Sequence, residues 1–237
     1  ICKAADAGYK VIIVLTGFHS NLRTQTQIRL EEAFVGYDIT ASSEGGPRKP
    51  VGVGKDSDKS LRVDTITNRS ESGDFKRSVA KNFGMNPGGR PLLFVIKKNA
   101  SVLKNLFNYL ESVSNSSDSN GNSFIKDIPL LLIDDEADQG SVDTKKMDFD
   151  TEGTPDIDHD PTKLNGLIRK ILFIFRQSAY VGYTATPFAN IFIHNEATVE
   201  TLGEDLFPRS FIIVMPTPSN YIGPDSVFGR MGEDEET

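Results

Sequence analysis

Four carboxylates crowd into the stretch LLLIDDEADQG, Leu130 to Gly140: Asp134, Asp135, Glu136 and Asp138. They follow directly on an apolar run. Carboxylates repel one another and are costly to desolvate. Such a cluster at the tip of a buried strand points to a cation or a catalytic role. In phosphate-hydrolysing sites one acid holds magnesium, often through water, and a neighbour orients or deprotonates the attacking water. The alternative is a solvated turn with acids at a helix N-terminus, where negative charge is also favoured.

A second motif, VGYTATPFAN, runs from Val181 to Asn190. Thr184 and Thr186 offer hydroxyls, and Pro187 turns the chain. The residues between the two motifs suffice for one helix and one strand, which is what a parallel neighbour requires. Both motifs are therefore expected at the same edge of one sheet. Threonine hydroxyls facing carboxylates there could relay a change at a bound nucleotide.

The surrounding pattern must position these groups. Ile1 to Ala7 reads as the end of a helix that Gly8 stops. KVIIVLTG is a strand buried on both faces. SNLRTQTQIRLEEAF reads as a helix capped by Ser20 or Asn21. Ser42 to Ser60 is a Gly-, Pro- and Lys-rich loop. Leu92 to Ile96 is a second buried strand, followed by a helix with Val102, Leu103, Leu106, Phe107 and Leu110 on one face. Ser112 to Ser123 has the composition of a mobile linker. Leu130 to Ile133 is a third strand, and Met147 to Asp160 an acidic loop. Asp160 and Pro161 open a helix as cap and first residue, with an apolar stripe of Leu164, Leu167, Ile168, Ile171, Leu172 and Phe175. AYVGYTATP is a fourth strand and FIIVMP, near Phe211, a fifth. Short buried strands alternating with helices predict an α/β fold with a doubly wound, mostly parallel sheet.

The formal charge of −7 excludes a cationic surface over the whole molecule but leaves a local basic stripe open. Cys2 is the one cysteine, so an internal disulfide and a multi-cysteine zinc site are excluded. No apolar stretch approaches the roughly 20 residues of a membrane span. No basic segment followed by an apolar one opens the chain. The expected compartment is the cytoplasm. The sequence begins without methionine, inside a helix, and is expected to be a piece of something longer.

Asp135-Glu136-Ala137-Asp138 followed by Thr184-Ala185-Thr186 resembles motifs II and III of superfamily-two helicases of the DEAD-box and related type. VIIVLTGFHSNLRTQTQIR resembles the segment just after the phosphate loop in the same proteins. Together with VIKKNASVLKNL, GYTATPFANIF, DLFPRSFIIVMP and SNYIGPDSVFG, the chain more closely resembles the endonuclease family named after the Z-one domain. Those are large bacterial ATPase-containing proteins, often encoded beside restriction–modification genes. The resemblance implies a RecA-like lobe of the P-loop NTPase type over residues 1–215, truncated just after its phosphate loop. Residues 216–237 would link it to the next domain of the parent. It implies ATP and Mg2+ as cofactors. DNA, a second motor lobe and a nuclease region of the same chain would be the partners. Asp135 would hold the magnesium through water and Glu136 would be the catalytic carboxylate. Asp138, Thr184 and Thr186 would couple hydrolysis to movement. Thr16, Arg23, Lys97 and Lys98 would lie toward nucleic acid. Asp134 is an extra acid, which leaves the metal ligand open between Asp134 and Asp135.

Several stretches imitate functional motifs and then break the pattern. GGPRKPVGVGKDSDKS holds a Gly54-Lys55 pair, but a phosphate loop needs Gly where Lys49 stands and Ser or Thr where Asp56 stands. Asp148 to His159 begins like a calcium loop and fails at Pro155 and at His159, where a bidentate Glu belongs. Pro155-Asp156 and Asp143-Thr144-Lys145 come in the wrong order for a nuclease centre. His19, His159 and His194 form no close ligand pair, and a surface role suits His19. Two readings follow: the ATPase lobe of a DNA-acting protein, inactive by itself, or a catalytically silent scaffold that kept the fold.

Overall fold

Chain order is α1 (Cys2–Asp6), β1 (Val11–Thr16), α2 (Ser20–Leu30) with a π-helical turn (Glu31–Val35), β2 (Tyr37–Asp38), β3 (Lys49–Pro50), a 3-10 turn (Gly52–Lys55), β4 (Asp64–Thr65), α3 (Arg77–Ala80), β5 (Leu92–Lys97), α4 (Ala100–Ser112), β6 (Ser116–Ser117), β7 (Ser123–Phe124), β8 (Leu130–Asp135), α5 (Pro161–Phe173), β9 (Ser178–Tyr183), β10 (Thr198–Val199) and β11 (Gly203–Glu204). The structure, a computed structural model, describes residues 1–40, 48–56, 63–80, 89–141, 161–187, 198–199, 203–204, 206–223 and 227–228.

The apolar runs form a parallel sheet in the order β4-β5-β1-β8-β9. Val11 pairs with Leu92 on one side and Leu130 on the other, and Leu130 pairs with Ser178. Parallel neighbours need crossovers, and here helices cover both faces. Alternation along the strands sends Ile13, Leu15, Phe94, Ile96 and Leu132 toward α4 and α5. Ile12, Val14, Leu93, Val95 and Leu131 face α1, the end of α2 and the π-helical turn. The chain leaves β1 over the second face and leaves β8 over the first. The strand order therefore reverses between β1 and β8, which is where open α/β sheets bind ligands, beyond the carboxyl ends of the strands.

The stripe expected on α4 is present, and Tyr109 joins it, packing on Phe75 at 5.7 Å between ring centroids. The α5 stripe is likewise buried at Leu164, Ile168 and Ile171. Pro161 opens α5; Asp160, its expected cap, lies outside the described residues.

Three local expectations need correction. Neither Ser20 nor Asn21 caps α2: His19 holds the N-cap position with extended backbone, and no side chain bonds to the cap. The Ser/Asn stretch after α4 folds into a hairpin, with Ser116 opposite Phe124. Its turn closes because Asp118 Oδ1 accepts the amides of Asn120 (2.9 Å) and Asn122 (2.8 Å), a local alternative to solvent that polar composition conceals. The fifth strand of the sheet is the short β4, paired at Asp64–Leu92, and not FIIVMP. Residues 211–218 take no regular structure, because an apolar run becomes a strand only with a ladder to join. Ile1–Phe207 forms one compact unit and Pro208–Thr237 another.

The Gly54-Lys55 pair sits in a packing contact. A Cβ on Gly54 would stand 1.7 Å from the Gly36 carbonyl oxygen, and one on Gly52 1.9 Å from that of Glu32. These glycines let the 3-10 turn lie against the π-helical turn. Gly54→Ala should lower stability by about 1–3 kcal/mol, the usual effect of overpacking. Urea denaturation measures it, and an unchanged midpoint would contradict the packing role.

Candidate active site at the carboxyl edge of the sheet

β8 and β9 are adjacent and parallel, with Asp135 opposite Tyr183. The two motifs therefore emerge side by side. The amide of Ala137 donates to the Tyr183 carbonyl at 2.9 Å, sewing the acidic turn to the end of β9. Ala137 is buried, and a Cβ on Gly182 would lie 3.0 Å from its own Cβ, so both positions require small residues.

Asp138 joins the motifs. Its Oδ1 accepts the Thr184 hydroxyl and its Oδ2 the Thr186 hydroxyl, each at 2.6 Å. The Thr186 amide in turn donates to Thr184 Oγ1 at 2.9 Å. Burial, the largest single influence, pushes the Asp138 carboxyl upward. The two threonine hydroxyls and the Lys98 charge outweigh it and hold the group below the usual carboxylate range.

The remaining acids divide by environment. Successive strand residues face opposite ways. Asp134 falls on the face of Leu130 and Leu132 and is fully buried, whereas Asp135 is exposed. Asp134 Oδ2 accepts the Tyr180 hydroxyl at 2.7 Å, and its Oδ1 faces the fully buried Lys98 ammonium at 2.8 Å as a close ion pair. Lys98 also donates to the carbonyls of Glu136 and, at 3.0 Å, Gln139. Of the two candidate metal ligands, Asp135 is the one whose carboxylate is open.

Glu136 has φ 56°, the left-handed region that a non-glycine residue rarely occupies. Its side chain is half-buried and lies on the Gly17 side of the turn. Gly140, at φ 71°, completes the turn; a Cβ there would meet the Phe18 ring at 2.8 Å and Leu164 at 2.9 Å. The turn after β8 thus packs against the segment after β1, at the reversal of strand order.

Three of the four residues expected toward nucleic acid point inward. Thr16 is buried and its hydroxyl donates to the Ile96 carbonyl at 3.4 Å. Arg23 is fully buried and donates to the carbonyls of Ser70 (2.7 Å), Asn68 (3.0 Å) and Gly73 (3.4 Å). Burial draws it below its ordinary value, and the charges of Asp74 and Glu31 oppose that. Lys98 is held as described. Lys97 is the partly exposed member, with its amide on Asp74 at 3.4 Å.

Sequence reading missed Tyr180, Gly140 and the polar face of α2. Arg23, Gln27 and Glu31 recur every four residues and are all fully buried. Gln27 bonds Thr67 and Glu31, and Arg69 Nε meets Glu31 at 2.6 Å. Among the described residues no group of three His, Cys, Asp or Glu side chains could hold a metal ion. The imitation calcium loop, the nuclease-like residues, His159 and His194 lie outside the described residues.

No family model matches the sequence, no curated protein matches it, and no solved structure matches it.

A carboxyl held below its unfolded value contributes stability above that unfolded value, and the contribution disappears as pH falls through the depressed native one. The stability gap between wild type and Asp138→Asn should therefore be constant near neutrality. It should close as pH drops below about 4, the unperturbed aspartate range. Urea midpoints against pH measure it, and a gap that persists into strong acid would contradict the threonine clamp.

Proposed function

We propose that this α/β lobe is of the RecA-like type and is the ATP-hydrolysing half of a DNA-acting, endonuclease-associated motor working in the cytoplasm. The observation that carries the reading is the Asp138 clamp on Thr184 and Thr186, at 2.6 Å to each. It joins the acidic and threonine motifs, leaves the Asp135 carboxylate open, and puts Glu136 at the reversal of strand order. Within the described residues, no helix is long and apolar enough to cross a membrane.

Glu136 orients the attacking water and accepts its proton. Asp135 suits a magnesium ion that keeps most of its water shell and relies on substrate phosphates for the rest, because that ion commonly takes only one or two carboxylates. Magnesium bound there would neutralise charge between the phosphates. The Asp138 clamp passes a shift of the acidic turn to the end of β9. The sequence holds no Gly-rich loop ending in Gly-Lys-Ser or Gly-Lys-Thr, so the grip on the β- and γ-phosphates has to come from outside these 237 residues. A second motor lobe would add a cation for the transition state, and a nuclease region would lie elsewhere in the parent.

Of the four residues expected toward nucleic acid, Lys97 is the one that stays partly exposed, because Thr16, Arg23 and Lys98 face inward. That inward placement favours the second reading, a silent scaffold, and one experiment separates the two. In the longer protein that includes a phosphate loop, Glu136→Gln should keep ATP binding and lower turnover about 100- to 10,000-fold, the range of lost general-base catalysis. The 237-residue chain should hydrolyse almost nothing. Wild-type turnover in the variant would mean that the acidic turn is not the hydrolytic site, and no turnover in the unmutated longer protein would favour the scaffold.

A further inference from the structure

We propose that Lys98 is a positioning residue: its buried ammonium holds the turn after β8 in the conformation that presents Glu136. The inference rests on the hydrolytic reading for its functional consequence and on geometry alone for the positioning itself. Lys98 follows β5, and β1 stands between β5 and β8 in the sheet. The side chain therefore reaches past the end of β1 to a turn on a strand its own strand does not touch. The Lys98 amide also donates to the Thr16 carbonyl at 3.2 Å, fixing where that reach begins.

At the far end the ammonium has three oxygens: the Asp134 carboxylate at 2.8 Å, and the carbonyls of Glu136 and Gln139. An ammonium has three protons to donate and no lone pair. It donates to the two carbonyls and meets Asp134 as an ion pair, the Asp134 Oδ1 accepting no hydrogen bond. Two of them are backbone carbonyls that bracket the acidic turn. Glu136 occupies the left-handed region, which costs a residue with a side chain of the order of 1–2 kcal/mol and persists only where the surroundings fix it. The cation on its own carbonyl is such a constraint. Asp134 balances the charge, and Tyr180 holds Asp134 from the neighbouring strand at 2.7 Å.

A buried ion pair adds little net stability over an apolar pair of the same volume, whereas removing one partner alone is severe. The variant to make is therefore the double substitution Lys98→Met with Asp134→Leu, which leaves no lone charge inside. Lys98→Met by itself serves only as the severe control. Residue-resolved amide exchange on the chain follows the Ala137 and Gln139 amides, bonded to the Tyr183 and Glu136 carbonyls at 2.9 and 2.8 Å. The expected result is a loss of protection by at least about tenfold at these two amides, with Leu131 to Ile133 on β8 unchanged, because local opening is independent of global unfolding. In the longer, phosphate-loop-containing protein the same variant should lower kcat for ATP with KM nearly constant. Uniform loss of protection through β8, or unchanged protection at the turn, overturns the proposal. Turn-specific loss in a protein with no ATP turnover even before mutation upholds the positioning and removes the hydrolytic reading.

Discussion

The acidic turn depends on one buried electrostatic contact, Lys98 against Asp134, with both side chains fully out of solvent. Desolvating each ion costs several kcal/mol, and mutual attraction offsets this only when the remaining protons and lone pairs are satisfied. Here the two backbone carbonyls take up the ammonium and the Tyr180 hydroxyl takes up the second carboxylate oxygen. The contact links β5, β8 and β9 at their carboxyl ends. An apolar cluster could fill the same space but would not fix the Glu136 backbone, since dispersion has no preferred direction.

A similar economy of charge operates on α2. A crossover helix that covers a sheet normally turns an apolar stripe inward. This one turns Arg23, Gln27 and Glu31 inward, and they bind the carbonyls and side chains of the segment that carries β4. Burial pushes the Glu31 carboxyl upward while the Arg69 and Gln27 hydrogen bonds oppose it. The positive residues near the site are thereby largely committed to the protein itself. Among the described residues, the open Asp135 carboxylate at the sheet edge suits a cation and its water shell rather than the phosphates of a DNA backbone.

Strands β1, β5 and β8 were legible because they are continuous Val, Ile and Leu runs, whereas the two-residue β4 carries no such run. The helices α4 and α5 were legible because their apolar residues recur at helical spacing. The pairing of the acidic and threonine motifs followed from the length between Asp135 and Thr184, and β8 and β9 are indeed neighbours. What stayed hidden depends on contacts between distant residues. Nothing in the Lys97-Lys98 pair says which lysine turns inward, although alternation past β5 allows only one to do so. The hairpin at Ser116–Phe124 was masked by a composition that also describes linkers. FIIVMP has the residues of a strand and no ladder. Asp134 looked like a rival metal ligand until its partners, far away in sequence, came into view.

The central claim is that the turn after β8 is where a metal–nucleotide complex acts. The most direct measurement is paramagnetic broadening of amide resonances by Mn2+ with ATP, a one-for-one stand-in for magnesium. The account predicts broadening concentrated at Asp135 to Asp138 and at Gly17, abolished by Asp135→Asn with Glu136→Gln. Broadening centred on the acidic residues around Asp148 to Asp158, and unaffected by that double substitution, would contradict it.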